Sequence, residues 1–188
     1  MSRFLMVIFI ISLIGIAFWQ LGHAGLIAAK AWAAPALIEH AFEQTEETTI
    51  PVLPWPWADS YPLAKLTIPR LQATRFVLSQ SSMRNLAFGP TVEHYGQNKI
   101  FYGHRDTHFD FLKDLKQGDQ VHYKLVGLDT EIWRVEQTAI LSKDDIYVPI
   151  GNREPVTLLV TCYPFDSILE NTPERFVVWL KPENAVHS

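Results

Sequence analysis

The chain opens on an unbroken apolar run. Residues 4–29 contain no Asp, Glu, Lys or Arg, and FLMVIFIISLIGIAFW is almost wholly apolar. About 20 such residues cross a bilayer core as a helix. Gln20 and His23 set the far boundary near residues 20–25, and Trp19 falls where interfacial aromatics tend to sit. Residues 25–42 are alanine-rich, with Leu26, Ile27, Trp32, Leu37, Ile38 and Phe42 at roughly helical spacing. That spacing predicts a helical continuation at the membrane surface, interrupted by Pro35. TEETTIPVLPWPWADSYP follows, and Pro51, Pro54, Pro56 and Pro62 predict an extended connector. Trp55 and Trp57 in it are placed to touch the membrane or to lie against a domain. The expected organisation is a transmembrane signal-anchor over 1–25, a spacer over 26–58 and a folded domain over 59–188.

From Leu63 the pattern changes to short β-rich runs separated by turns. AKLTI, TRFVLS, NKIFYG, QVHYKLVG, EIWRVEQTAIL, VTLLVTC and RFVVWL read as strands, with Leu128-Asp129-Thr130 as a hairpin connection. VTLLVTC is a continuous apolar run, as in a strand buried on both faces. Helical signals are short: residues 83–88, and HFDFLKDL with Phe111, Leu112 and Leu115 on one face. Seven or eight short strands predict a mainly β domain, a closed or nearly closed barrel with one or two short helices.

Charge and cysteine content narrow the function classes. The formal net charge of −4 carries no basic footprint, which argues against nucleic acid as a partner. Arg3 and the amino terminus precede the apolar run. After it comes Lys30, then no Lys or Arg until Lys65, while Glu39, Glu43, Glu46, Glu47 and Asp59 occupy that interval. The positive-inside tendency places the N-terminus in the cytoplasm and the β domain outside the membrane. A cleaved signal peptide is the competing reading, from Ala31-Trp32-Ala33, but that site lies far beyond the apolar run. One cysteine forms no intramolecular disulfide, so Cys162 is either a small hydrophobe or a reactive thiol.

Cys162 ends an apolar strand that Tyr163-Pro164 stops, so its thiol can protrude into a groove. Its chemistry needs a thiolate with a basic neighbour. His104 is placed to supply one: it directly follows Tyr102-Gly103 at another strand end. His122, alternating with Val121 and Tyr123, reads as structural or solvent-facing; His94 and His108 are further candidates. A carbonyl attacked by sulfur gathers negative charge, which a fixed cation stabilises. Arg175, 13 residues past Cys162, suits a neighbouring antiparallel strand, and Arg105 is the rival cation.

These residues resemble a family. His104 in GHRD, then Leu-x-x-Leu-x-x-Gly-Asp, then TLLVTCYPF, then Arg175 at a strand head, look like the sortases, membrane-anchored cysteine transpeptidases, over most of residues 63–180. Within LLVTC, Leu158 holds the position usually held by threonine. HRDT and TCYPF are nearest to class D-like and Gram-negative-type sortases. The resemblance implies an eight-stranded β-barrel and no cofactor. It implies Cys162 as nucleophile, His104 as acid then base, and Arg175 as oxyanion and substrate holder, with His94, Arg105, Thr161 and Tyr163 bordering the substrate groove. The implied partner is an exported protein with a Leu-Pro-x-Thr-Gly-like sorting signal, cut after Thr through a thioacyl-enzyme; the acceptor amine is unspecified, and hydrolysis is a side reaction. Calcium-binding carboxylates of some sortases have no match, Asp144-Asp145 reading as an exposed turn, and no metal site is expected. Two alternatives stand beside this reading. One is an L,D-transpeptidase-like peptidoglycan enzyme, whose cysteine follows its histidine closely, against 58 residues here. The other is an exported barrel that binds a peptide without cutting it.

Overall fold

The computed structural model describes residues 3–146, 155–169 and 171–183. It divides into two compact units, Met1–Ala36 and Leu37–Ser188. In the first, helix α1 (Arg3–Thr48) begins, and its stretch Leu5–Gly25 is long and apolar enough to cross a membrane, with mean hydropathy 2.3. Pro35, expected to interrupt the helix, lies inside it. A proline lacks the N–H of one i→i−4 bond, and the helix continues with that bond missing.

In the second unit, residues 37–48 of α1 form part of the compact fold, where a spacer was expected. Ile38, Ala41, Phe42 and Thr45 are buried at the spacing of one helical stripe. Phe42 packs 5.3 Å from Phe76, and the Glu46 carboxylate receives Lys124 Nζ at 2.6 Å and the Gly127 amide at 3.0 Å. The Thr45 hydroxyl accepts the Val52 amide at 3.0 Å where the chain leaves the helix. In the proline-rich connector, Trp55 lies against the domain, its ring 5.0 Å from Phe88.

Eight strands form a closed barrel: β1 (Pro62–Ile68), β2 (Ala73–Leu78), β3 (Thr91–Tyr95), β4 (Asn98–Tyr102), β5 (Gln120–Leu125), β6 (Thr130–Ser142), β7 (Thr157–Tyr163) and β8 (Glu174–Pro182), hydrogen-bonded in the order β1-β2-β3-β4-β7-β8-β6-β5. Pairing of β1 with β5, Ala64 opposite Leu125, closes the circle. Short helix α2 (Met83–Leu86) is capped by Ser82, whose hydroxyl accepts the Asn85 amide, and a 3-10 turn covers Asp110–Asp114. Strand β3 is absent from the sequence reading. Of its residues only Val92 is a buried hydrophobe, so TVEHY lacks the alternation that marks a strand.

Period-two alternation sorts side chains between the barrel interior and its outer face. Ala64, Leu66, Ile68, Val77, Phe101, Val121, Tyr123, Trp133, Leu159 and Val178 point inward and pack with Phe109, Phe111 and Leu112 from the segment after His104. The Tyr123 and Trp133 rings stack 4.7 Å apart, with Phe101 beside both. Gly118-Asp119 ends that segment. Asp119 takes a two-pronged ion pair from Arg70, both contacts at 2.6 Å, and Arg70 holds its carboxyl below the usual range.

Candidate active site

Strand β7 is buried on both faces, and this fixes which way its last residues look. Leu159 belongs to the interior, while Leu158 and Val160 belong to a separate outer cluster with Ile100 and Val177. Cys162 continues the outward series of Leu158 and Val160 one step beyond the buried apolar floor, and the residue is partly exposed. A sulfur stored in the core would need the opposite parity.

The two neighbouring strands supply matching rows. In the antiparallel pair of β7 and β8, Leu158 faces Trp179, Val160 faces Val177 and Cys162 faces Arg175. In the parallel pair of β4 and β7, Ile100 sits beside Leu158 and Tyr102 beside Val160. The pairing continues past the end of β4, because the Gly103 amide donates to the Val160 carbonyl at 3.3 Å. The buried Thr161 hydroxyl then donates to the Gly103 carbonyl at 2.7 Å. His104 is the next residue after Gly103, as Cys162 is the next after Thr161. Cys162 and Arg175 therefore share one outward row on strands spaced about 4.8 Å apart, and His104 follows the end of the strand on the other side of β7.

His104 leaves its strand through a tight contact. Gly103 has the Phe109 ring lying against it, and a Cβ there would stand 2.6 Å from Phe109 Cγ. A ring seated on its Cα is the specific reason for a glycine here. Gly103→Ala is expected to lower stability by about 1–3 kcal/mol, the usual range for overpacking a filled core, with a matching fall in the melting temperature. An unchanged melting temperature would contradict the packing described.

Arg175 Nη1 donates to the carbonyls of Thr172 at 2.6 Å and Glu174 at 2.8 Å. Arg105 points elsewhere. Its guanidinium donates to the Ser167 and Leu169 carbonyls, both at 2.6 Å, and to the Thr172 hydroxyl at 3.3 Å. Of the two candidate cations, only Arg175 shares the row of Cys162.

The other groove candidates fall away from that row. Thr161 is 2% exposed and faces inward, where it ties β7 to Gly103. Tyr163 follows the same parity and joins Phe165 and Phe176, at 6.1 and 6.4 Å, in an aromatic cluster. His94 is exposed opposite Lys99, at the far end of β4 from His104. Five steps along the chain lead from Lys99 to His104, roughly 16 Å at the usual strand rise. Among the described residues the buried Nε2 of His108 has no partner, and burial pushes its imidazole below the ordinary histidine value, with Arg75 and His104 nearby adding to the effect.

Two contributors carried no signal in the sequence. Tyr102 lies between Thr91 of β3 and Val160 of β7, and burial, with Glu93 nearby, pushes its hydroxyl up to about 12. It therefore stays neutral near pH 7 and can only donate or accept a hydrogen bond. Thr172 is 6% exposed and links Arg105 to Arg175, although a threonine between Asn171 and Pro173 reads as plain loop. Asp144 and Asp145 are exposed at a turn as expected, and among the described residues no three His, Cys, Asp or Glu side chains converge as a metal site.

Chemically, a thiol, an imidazole and a guanidinium brought together can attack a carbonyl, pass a proton and hold the resulting negative charge. Known proteins carry the same barrel. The sortase domain model matches residues 66–183. Sortase D of Bacillus subtilis (strain 168) is 29% identical over 125 residues, 62% of this chain and 61% of that protein, so the chain spans about three fifths of that relative's length. Among solved structures, the catalytic domain of B. anthracis SrtD aligns with a TM-score of 0.53 at 27% identity, over 64% of this chain and 86% of that one. Sortase A from Corynebacterium diphtheriae shares the fold with a TM-score of 0.58 at 19% identity, over 67% of this chain and 62% of that one. With a domain match over more than half its length and an eight-stranded barrel of the same fold, this chain belongs to the sortase family.

Proposed function

We propose that this sortase is a cysteine transpeptidase that cuts a Leu-Pro-x-Thr-Gly-like signal after the threonine and passes the acyl group to an amine. The observation that carries the reading is the register that pairs Cys162 with Arg175 on β8 and ends β4, two residues before His104, beside Val160, at an outward apolar floor of Ile100, Leu158, Val160 and Val177. The Cys162 thiolate adds to the threonine carbonyl carbon, and the oxygen takes up the negative charge, which the Arg175 guanidinium stabilises. Collapse of that intermediate breaks the C–N bond as protonated His104 gives its proton to the leaving amine. The thioacyl-enzyme is then attacked by the acceptor amine, whose proton His104 accepts, and the thiolate leaves. Water in place of the amine gives hydrolysis.

The apolar stretch Leu5–Gly25 would hold the enzyme in the membrane. With Arg3 before it and a mostly acidic stretch after it, the N-terminus lies in the cytoplasm and the barrel acts on exported proteins carrying the signal.

The test is partition. The 188-residue chain in detergent is incubated with a labelled signal peptide and rising concentrations of triglycine. A transfer product that grows at the expense of the hydrolysis product is expected; hydrolysis alone at every amine concentration would make the protein a protease, and binding without cleavage would make it a peptide-binding barrel. Arg175→Ala is expected to lower kcat/KM by about 10²- to 10³-fold, the usual loss for one oxyanion donor. Full activity in Arg175→Ala would remove this residue from the mechanism.

A further inference from the structure

We propose that Arg105 is a positioning residue: it locks the loop between β7 and β8 and, through Thr172, sets the guanidinium of Arg175 opposite Cys162. This rests on the transpeptidase reading for its kinetic consequence, but its structural part stands on contacts alone.

The loop runs from Pro164 to Pro173, and among its described residues little else holds the outer half. Ile168 is 96% exposed and Leu169 is 68% exposed, so apolar burial contributes almost nothing there. The local hydrogen bonds are Ser167 amide to Pro164 carbonyl at 3.3 Å and Leu169 amide to Ser167 hydroxyl at 3.1 Å. Against these stand two charge-assisted contacts of 2.6 Å from Arg105 Nη2 to the carbonyls on either side of Ile168. Hydrogen bonds from an ionised donor are roughly twice as strong as neutral ones. The guanidinium binds the loop at Ser167, Leu169 and Thr172 at once, which a planar fork does with little loss of freedom.

Thr172 joins the two arginines. Its side-chain oxygen accepts Arg105 Nη1, and its own carbonyl accepts Arg175 Nη1 at 2.6 Å. Among the described residues no carboxylate pairs with either arginine, so loop carbonyls and a hydroxyl fix both side chains. Arg105 directly follows His104, so one short segment carries the imidazole and the anchor that aligns the cation. A misplacement of the order of 1 Å can cost about 10²-fold in rate.

The test is a double-mutant cycle on the full chain in detergent, with a Leu-Pro-x-Thr-Gly-like peptide. Arg105→Ala is expected to lower kcat/KM by about tenfold to a hundredfold in the wild-type background and to cause almost no further loss in Arg175→Ala. Iodoacetamide should alkylate Cys162 at the wild-type rate in Arg105→Ala, because the thiol's neighbour His104 is untouched. Arg105→Lys should recover part of the loss, since one ammonium can still reach the two carbonyls. Thr172→Val, which deletes only the hydroxyl link, should show a smaller loss that also vanishes in Arg175→Ala. Losses that multiply, no loss at all, or a loss matched by slower alkylation would overturn the proposal. Should Arg105→Ala not fold, Arg105→Lys and Thr172→Val decide by the same criterion. If the wild-type chain cleaves no peptide, the transpeptidase reading fails, and hydrogen exchange over residues 166–173 still decides on the clamp: faster exchange in Arg105→Ala or Arg105→Lys supports it, and unchanged exchange overturns it.

Discussion

Cys162→Ala is expected to remove both cleavage and transfer, with a loss of at least about 10⁴-fold, the scale seen when a covalent nucleophile is deleted. No other residue in the described structure can form the thioacyl bond, because the chain holds a single cysteine. The fold should survive. Cys162 lies partly exposed at the end of its strand, whereas the buried contacts of β7 are made by Leu158, Leu159, Val160 and Thr161. Losing one partly exposed sulfur should cost within about 0.5 kcal/mol. The variant should therefore melt with the wild type and still bind peptide. Cleavage at a tenth of the wild-type rate by a folded Cys162→Ala protein would mean that sulfur is not the nucleophile.

His104→Ala is expected to be nearly as damaging, with about 10²- to 10⁴-fold lost from kcat/KM, the range for one positioned acid–base group. Its position makes the effect specific. Gly103, Thr161 and Phe109 hold the backbone around His104, and none of those contacts uses the imidazole. Iodoacetamide alkylation of Cys162 should slow in the same variant, separating loss of thiolate support from loss of substrate binding. Full alkylation with lost turnover would restrict His104 to protonating the leaving amine. Retained turnover would transfer the role to His108, whose imidazole lies close enough to His104 for the two to influence each other.

Much of this site was legible because both faces of one strand had to be apolar. VTLLVTC predicts a strand buried on both sides, and the structure gives Leu159 to the interior and Leu158 and Val160 to the outer cluster. Parity alone then orients Cys162 outward and Thr161 inward, a constraint the alternation of the strand already contains. The same alternation separates Tyr163 from Cys162. His94 stands away from that row for another reason. It lies only ten residues before His104 in the chain, yet the hairpin between β3 and β4 puts those residues at opposite ends of a strand.

Other features were not legible at all. Strand β3 is held by its pairing with β4 and a single bridge to β2, which no side-chain pattern records. Residues 37–48 read as a spacer, because an alanine-rich stripe has the same sequence whether it lies on a membrane or on the outer face of β1, β2 and β5. Phe42 against Phe76 and Glu46 against Lys124 decide between the two. The partnership of Arg105 with Ser167, Leu169 and Thr172 joins residues more than 60 positions apart and depends on a loop whose sequence carries no periodicity.

The central claim is a covalent bond between Cys162 and the threonine carbonyl. It is tested most directly by the intact mass of the chain after mixing with a small set of Leu-Pro-x-Thr-Gly-like peptides, beside Cys162→Ala. The account predicts a mass gain equal to the peptide up to its threonine, mapped to Cys162, absent in the variant and discharged by added amine. No adduct on a folded protein whose Cys162 also resists iodoacetamide would contradict it.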